Sequence, residues 1–446
     1  MTLQTAVADA ATPTTDERVL KIRGGNTLRG KVRIGGAKNA ALKALAATLL
    51  TSDEVVLNNV PMIADVISMA ELLRAFGAEV EVDPERERVV VRAREIVRTD
   101  APPELFKATR ASVVVTGPVL ARCGEISFSM PGGDDIGKRP IDMHLRGFQR
   151  MGAEVKQDRY GICARATKLQ GARIYMDYPS HTGTEALLMA STLASGTTII
   201  ANASAEPEIV WLGKMLNRMG ARISGLGSPI ITVEGVERLQ GVSEVCLPDR
   251  LEAGTYAIAA VITGGEIELK DVRQDHMLPL SEKLLQAGAE VWFRDNKMLV
   301  RAGKRLDAVD IQTLPFPGFP TDLQATFMPL LTQAHGVSRV HERVYEDRLR
   351  YTDELVKMGA NIHVERFGER GEQLATTAVV TGPARLHGAR VKSLDIRSAV
   401  SLVLAGLVAE GETQLIDVYH IDRGYARFVE KLTALGADLE DTGDPV

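Results

Sequence analysis

Residues 130–140 read MPGGDDIGKRP, which sets Asp134 and Asp135 side by side, with Lys138 and Arg139 close behind. Paired carboxylates next to cations suit proton transfer, a metal ion, or nothing more than a polar turn. Lys38 and Asn39 stand in GGAKNAALK, directly after Gly35 and Gly36 and where a helical apolar pattern begins. The start of a helix offers free N–H groups and the positive end of its dipole, so a lysine there suits a small anion bearing phosphate and carboxylate groups. The plainer alternative is a solvated first-turn lysine. Asp322, in FPTDLQATF, follows Pro320 and opens another apolar helical pattern. Read from its place alone, it is a helix N-cap. Four arginines stand out in polar motifs, Arg110, Arg139, Arg397 and Arg423. Guanidinium forks grip phosphate and carboxylate in two places at once, although a lone arginine is more often one half of a surface ion pair.

The elements that must position these groups belong to a long chain. Its 446 residues exceed one ordinary core and suffice for two or three domains. A hydrophobic share of 45% with 25% charged residues is normal for a soluble globular protein. The net charge of −5 gives no basic field for nucleic acid, and 4% aromatics give no platform for stacking bases. Cys123, Cys163 and Cys246 are far apart and form no CxxC, and no HExxH occurs. This pattern fits a reducing compartment and predicts neither disulfides nor a zinc site. No GxxxxGK[ST] phosphate loop is present. Residues 1–18 contain Asp9, Asp16 and Glu17 and no apolar segment of signal-peptide length, so a disordered tail is expected there. No apolar run approaches the ~18 residues needed to span a bilayer, and the expected location is the cytoplasm.

One phrase recurs along the chain. A helical pattern closes on Gly-Ala and enters a strand at Gly77, Gly152, Gly220, Gly288, Gly359 and Gly436, at intervals of roughly 70 residues. Glycine after a helix permits the left-handed turn, and β-compatible residues follow. A second phrase interleaves with the first, an Ala/Leu-rich helix, a polar or glycine turn and an alternating strand, as in AATLLTSDEVVLNNV and GLVAEGETQLIDVY. The fold class expected is therefore α/β, built from six βα repeats with three in each of two domains. The linker falls near EVCLPDRLEAGT, residues 244–255. Clefts between domains are favoured ligand sites.

The repeat plan, together with GGAKNAALKALAATLL, PGGDDIGKRPIDMH, LPDRLEAGT, FPTDLQATF, DIRSAVSLVLAG and HIDRGYARF, resembles the enolpyruvyl transferases from about residue 19 to 441. The resemblance implies two inside-out α/β barrels, helices within and sheets without, closing on substrate. It implies domains of 19–37 plus 248–441 and of 38–247, the latter carrying the 130–140 loop. PGGDDIGKRP and HIDRGY resemble the branch that moves the enolpyruvyl group of phosphoenolpyruvate to the 3-hydroxyl of UDP-N-acetylglucosamine, releasing phosphate in the first committed step of peptidoglycan synthesis. Rival readings are the sister branch acting on shikimate 3-phosphate and a catalytically silent nucleotide-sugar binder. Retention of Lys38, Asp322, Arg397 and Arg423 argues against the silent form.

The resemblance also assigns roles. Lys38, Arg139, Arg397 and Arg423 fall on phosphoenolpyruvate. Asn39, Arg110, Arg139, Pro140, Ile141, Asp142, Met143, Tyr178, Pro179, Ser180, His181, Asp322 and Val344 fall on the nucleotide sugar. Asp134 stands where most relatives carry the cysteine that donates a proton and reacts with fosfomycin, so fosfomycin insensitivity is implied. With Asp134 as acid, Asp322 facing the sugar hydroxyl and Lys38 and Arg423 beside the reacting group, no metal or cofactor is implied. The partners are small-molecule substrates, with no nucleic acid or membrane; oligomeric state is left open. The segment SHTGTEA and Trp211 depart from the family pattern.

Overall fold

The computed structural model describes residues 18–134, 136–137, 139–159, 161–367 and 374–443; Asp135, Lys138 and the tail as far as residue 17 lie outside them. Each Gly-Ala turn joins a helix to a strand. Ala64–Ala75 leads to Glu79–Asp83, Asp142–Arg150 to Glu154–Gln157, and Pro207–Arg218 to Arg222–Ser224. Gln274–Gln286 leads to Glu290–Arg294, Thr352–Lys357 to Asn361–Phe367, and Phe428–Ala434 to Asp438–Asp441. All six glycines adopt φ between 90° and 105°, where a Cβ is strained.

The second phrase yields the helices Lys38–Ala47, Thr116–Cys123, His181–Ser191, Arg250–Ile262, Thr321–Gln333 and Ile396–Gly406, each followed by a strand. Every residue of Arg250–Ile262 and Ile396–Gly406 is buried, and Asn39 alone escapes burial in Lys38–Ala47. Helices apolar on every side must lie inside, whereas strands such as Glu125–Phe128 alternate between buried and half-buried residues and cover them with one face.

Six sheets share one plan. The strand that follows a buried helix has a parallel neighbour on one side and an antiparallel one on the other. In the first sheet the order is Ser243–Val245, Glu54–Asn58, Arg88–Arg92, Glu79–Asp83. The sheet of Glu125–Phe128 has three strands, and its parallel neighbour is reduced to a bridge between Asp100 and Ser127. Distant segments complete the sheets. Leu20–Arg23 lies between Glu412–Ile416 and Asp438–Asp441, and Arg29–Arg33 runs parallel to Glu266–Lys270.

The chain divides into two compact units. One contains the residues up to Gly35, Asp134–Arg139 and the chain from Pro248 onward; the other contains Gly36–Gly133 and Pro140–Leu247. The 130–140 loop was expected wholly with residues 38–247, yet residues 134–139 group with the later part of the chain. Asp134 pairs with Arg423, and Arg139 lies 5.5 Å over the Tyr345 ring. Gly137 approaches Glu346 so closely that a Cβ would sit 2.8 Å from its carboxylate. Arg18, expected as the last residue of the tail, is among the described residues, and its guanidinium holds Asp441 at 2.7 Å and also pairs with Asp422. Among the described residues no helix is long and apolar enough to cross a membrane.

At Gly220 no atom lies within 4 Å of a would-be Cβ, so substitution there tests the backbone alone. We expect Gly220→Ala to lower unfolding free energy by about 1–2 kcal/mol, read by guanidinium denaturation. A variant as stable as the parent would show that the turn does not hold the positive φ.

Candidate active site

Five of the six buried helices carry an ionisable side chain in the first turn. Lys38, His181 and Arg250 are the first residues of their helices, and Asp322 and Arg397 the second of theirs. Arg110 opens the 3-10 turn Arg110–Val115 that runs into Thr116–Cys123. Five of these are the candidates singled out from sequence. Arg250, whose guanidinium lies 5.5 Å over the Phe316 ring, was passed over.

In the unit that contains Pro248 onward, Asp322 is the centre of an ionic cluster. Its Oδ1 lies 2.8 Å from Arg348 and its Oδ2 3.1 Å from Arg397. Arg397 also donates to the Tyr425 hydroxyl at 2.9 Å, which is 2.9 Å from Thr255. The N-cap of the Asp322 helix is Pro320, and no side chain caps it, so the capping reading fails. The carboxylate turns to the guanidiniums instead. Burial alone would raise the Asp322 carboxyl, but Arg397 and Arg348 outweigh it and hold the group far below the usual carboxylate range. A carboxylate so firmly ionised is a weak base and a good hydrogen-bond acceptor. Asp395 caps the helix of Arg397 through a capping box with Ser398, which fixes where that guanidinium starts.

Glu342, buried, supports the same cluster from below. One oxygen accepts from Thr321 at 2.9 Å, and Thr321 accepts from Arg348 at 3.0 Å. The other accepts from Thr313 and from the backbone N–H of Val344, both at 2.8 Å. Val344 therefore takes its place through a carboxylate that its sequence motif, HERVYEDR, displays but that was not singled out.

Asp134 forms an ion pair with Arg423 in this unit. His420, stacked on Tyr419 with ring centroids 4.1 Å apart, places Nδ1 3.9 Å from Asp134 Oδ1. Burial pushes the His420 imidazole below its ordinary value against the pull of Asp134. Asp135 and Lys138, the loop's other charged pair, lie outside the described residues.

The other unit holds the remaining candidates. Lys38 is 8% exposed, and its Nζ lies 2.6 Å from Asp65. Thr109 donates to the same carboxylate at 3.3 Å and caps the turn that begins at Arg110, while Arg110 reaches the carbonyl of Pro131 at 3.3 Å. Asn39 is half-buried beside Lys38. Pro140 and Asp142 are exposed, Met143 is half-buried and Ile141 is buried at the start of Asp142–Arg150. Tyr178 is exposed and Pro179 half-buried, and Ser180 caps His181–Ser191 by accepting from Gly183 N–H. His181 Nε2 lies 3.1 Å from Glu185. Asp65, Glu185, Arg348, Glu342 and Tyr425 are supports that sequence reasoning missed; partners fixed by folding leave no spacing to read. Trp211 donates to the carbonyl of Val245 and packs with Ala37, Ala40 and Leu247. Among the described residues no three His, Cys, Asp or Glu side chains gather as metal ligands.

The family model of EPSP synthase (3-phosphoshikimate 1-carboxyvinyltransferase) matches residues 22–432. The chain belongs to that family. A Magnetococcus marinus protein named UDP-N-acetylglucosamine 1-carboxyvinyltransferase is 49% identical over 423 residues, covering 95% of this chain and 99% of the relative. One of Carboxydothermus hydrogenoformans, named UDP-N-acetylglucosamine 1-carboxyvinyltransferase 2, is 47% identical with the same coverage. The solved enolpyruvyl transferase NikO from Streptomyces tendae superposes with a TM-score of 0.85 at 25% identity, covering 96% of this chain and 99% of that one. The EPSP synthase of Acinetobacter baumannii, at 17% identity, covers 96% and 100% with a TM-score of 0.73 and shares the fold.

Asp322→Asn takes from two buried guanidiniums the carboxylate that both pair with. We expect a loss of about 3 kcal/mol at neutral pH. The folded carboxyl lies below its unfolded value, so its contribution is complete above the unfolded pKa of ~3.9 and fades as pH falls toward the folded value. The gap between parent and variant, read by urea unfolding at pH 7 and pH 3, should therefore shrink at pH 3. A gap that does not change with pH would show that the charge on Asp322 is not what stabilises the cluster.

Proposed function

We propose that this chain transfers the enolpyruvyl group of phosphoenolpyruvate to the 3-hydroxyl of UDP-N-acetylglucosamine, with release of phosphate. The observation that carries the reading is near-full-length identity of 45–49% to relatives bearing the name of that transferase. The reaction is the first committed step of peptidoglycan synthesis and serves cell-wall biogenesis, shape and division. A cytoplasmic location fits substrates of this kind. The inside-out barrel of βα repeats, three to a domain, is supported by the shared sheet plan and by helices buried on all sides.

The chemistry asks for an acid, an acceptor for the hydroxyl and a set of cations. Asp134 gives a proton to the methylene carbon of phosphoenolpyruvate, which leaves cationic character at C2. The sugar oxygen adds there and loses its proton. A proton then leaves the new methyl group, the double bond re-forms and the C–O bond to phosphate breaks. Lys38, Arg139, Arg397 and Arg423 bind the phosphate and carboxylate. Asn39, Arg110, Arg139, Pro140 to Met143, Tyr178 to His181, Asp322 and Val344 bind the nucleotide sugar. Held ionised by its two arginines, Asp322 orients the hydroxyl as an acceptor. Asp134 accepts from Arg423 in the structure, so to serve as an acid it must part from that cation. Phosphoenolpyruvate supplies Arg423 with another anion, and the exchange frees the carboxyl for protonation.

Shikimate 3-phosphate is the acceptor that the family model's own name suggests. The nucleotide sugar is favoured because a solved EPSP synthase is only 17% identical. Phosphate release from phosphoenolpyruvate, measured with each acceptor and with fosfomycin, separates these readings. We expect release that needs UDP-N-acetylglucosamine, survives fosfomycin and falls by about 10²–10⁴ in Asp134→Asn. Asp134→Cys should stay active and become fosfomycin-sensitive. Tight sugar-nucleotide binding without release would indicate a silent binder, and release with shikimate 3-phosphate the sister branch.

A further inference from the structure

Arg397, Tyr425 and Thr255 form a buried chain of hydrogen bonds whose direction their chemistry fixes. Arg397 Nη1 lies 2.9 Å from the Tyr425 hydroxyl, the hydroxyl lies 2.9 Å from Thr255 Oγ1, and Oγ1 lies 3.0 Å from the carbonyl oxygen of Leu251. A carbonyl only accepts, so Thr255 donates its proton to Leu251. Thr255 then accepts from Tyr425, and the phenol oxygen, its own proton given away, accepts from a guanidinium that can only donate. The chain therefore runs one way, from Arg397 to the backbone of the helix Arg250–Ile262. It ends on firm packing, with Thr255 wholly buried and the Tyr425 ring centroid 5.1 Å from that of Phe428.

We propose that Tyr425 is a positioning residue for Arg397, and that its hydroxyl, backed by Thr255, aims the guanidinium at phosphoenolpyruvate. The inference rests on the proposed function, which puts Arg397 on that substrate. Among the described residues the side-chain acceptors of the guanidinium are Tyr425 and Asp322, the latter 3.1 Å from Nη2 and already paired with Arg348. With Asp322 as its only anchor, the guanidinium can turn to present two N–H groups to that carboxylate, the arrangement that Arg–carboxylate pairs favour. Tyr425 holds Nη1 away from it and leaves the remaining N–H groups for the oxygens of an anion. A neutral acceptor fixes direction without taking charge, whereas a second carboxylate in its place would offset the cation that the substrate needs. Burial pushes the Tyr425 phenol above its ordinary value, against the pull of Arg397, so the group stays protonated and neutral at neutral pH.

The place of Tyr425 in the chain adds to the argument. It stands in HIDRGYARF two residues after Arg423, which the proposed function also puts on phosphoenolpyruvate. Between them lies Gly424, where a Cβ would come 2.4 Å from a side-chain carbon of Ile396, the residue before Arg397. The segment 423–425 is thus pressed onto the first turn of the helix Ile396–Gly406. One short stretch presents one cation and aims another, and both answer to the same frame.

The test combines steady-state phosphate release, with UDP-N-acetylglucosamine as acceptor, and calorimetric binding of phosphoenolpyruvate alone, on the full chain and its variants. Tyr425→Phe removes one oxygen and keeps the ring. We expect it to raise both KM and the dissociation constant for phosphoenolpyruvate about tenfold, the size of one hydrogen bond to a charged group, with kcat and the acceptor's KM changed by less than about twofold. Thr255→Val should shift the same constants about threefold, and Thr255→Ser, which keeps the hydroxyl, should restore them. Because Thr255 acts through Tyr425, the double variant Tyr425→Phe/Thr255→Val should bind no more weakly than Tyr425→Phe alone. Urea unfolding of each variant separates this from packing, since a role confined to packing lowers stability and leaves KM where it was. Unchanged affinity for phosphoenolpyruvate in Tyr425→Phe, or additive effects in the double variant, would overturn the inference. Release with an unchanged KM leaves the transferase reading standing and removes this one. Weakened binding in the variants, with no release from the parent, does the reverse. A parent that neither binds phosphoenolpyruvate nor releases phosphate ends both.

Discussion

Taking an ammonium or guanidinium group out of water costs several kcal/mol unless an opposite charge meets it. In this molecule that constraint decides where the candidate residues point. The helices that carry them are buried on nearly every side, so an ion on such a helix needs a counter-ion from another element. Lys38 finds Asp65, Lys43 finds Glu185, and Arg348 and Arg397 divide Asp322 between them. Each pairing also fixes a second group. Asp65 binds the threonine that caps the Arg110 turn, and Arg397 holds Tyr425 against Thr255. The carboxylates are thereby positioning devices as much as neutralising charges, because a side chain with a partner at both ends has little freedom left.

Asp134 follows the same rule through its ion pair with Arg423. Arg423 is suited to an anionic substrate, and the carboxylate at the tip of the loop occupies it first. One cation shared by two anions holds neither as strongly as it holds one alone, so a second anion at Arg423 would weaken its grip on Asp134. The neighbouring His420 imidazole is kept below its ordinary value by burial, against the pull of Asp134. A thiol at this position would make no such ion pair, so the aspartate ties its stretch of the 130–140 loop to Arg423.

The parts legible in the sequence are those governed by local rules. The six Gly-Ala turns could be read because a helix that passes into a strand there requires positive φ, and glycine supplies it. The candidates at the helix starts could be read because helix signals are local, and Lys38, Arg110, His181, Asp322 and Arg397 all lie in first turns. What could not be read is who meets whom. Asp322 looks like an N-cap from its place after Pro320, and only the folded positions of Arg348 and Arg397 turn it away from the backbone. Glu185 lies within SHTGTEA as an ordinary helical glutamate until Lys43, far away in sequence, comes beside it. The grouping of residues 134–139 with the later chain likewise follows from contacts to Arg423 and Tyr345, which no composition change announces.

The first-turn cations expose a conflict between stability and binding. A helix N-terminus favours negative charge, and only Asp322 among the six first-turn residues agrees with that preference. Lys38, Arg250 and Arg397 oppose it, as does Arg110 at the head of its turn and His181 when protonated. Carboxylates from other elements offset part of the opposition at Lys38 and Arg397, and Glu185 of its own helix does so at His181. What remains is positive potential from both the side chain and the free N–H groups, held in a setting with little water to screen it. An anion that reaches such a position gains from both sources at once, whereas a neutral ligand gains from neither. A fold that repeats one buried helix, with a cation at the start of Lys38–Ala47, Arg250–Ile262 and Ile396–Gly406, thus supplies several anion-seeking points from a single structural rule. That is the form of recognition required by a reaction whose two substrates carry their charge as phosphates and a carboxylate.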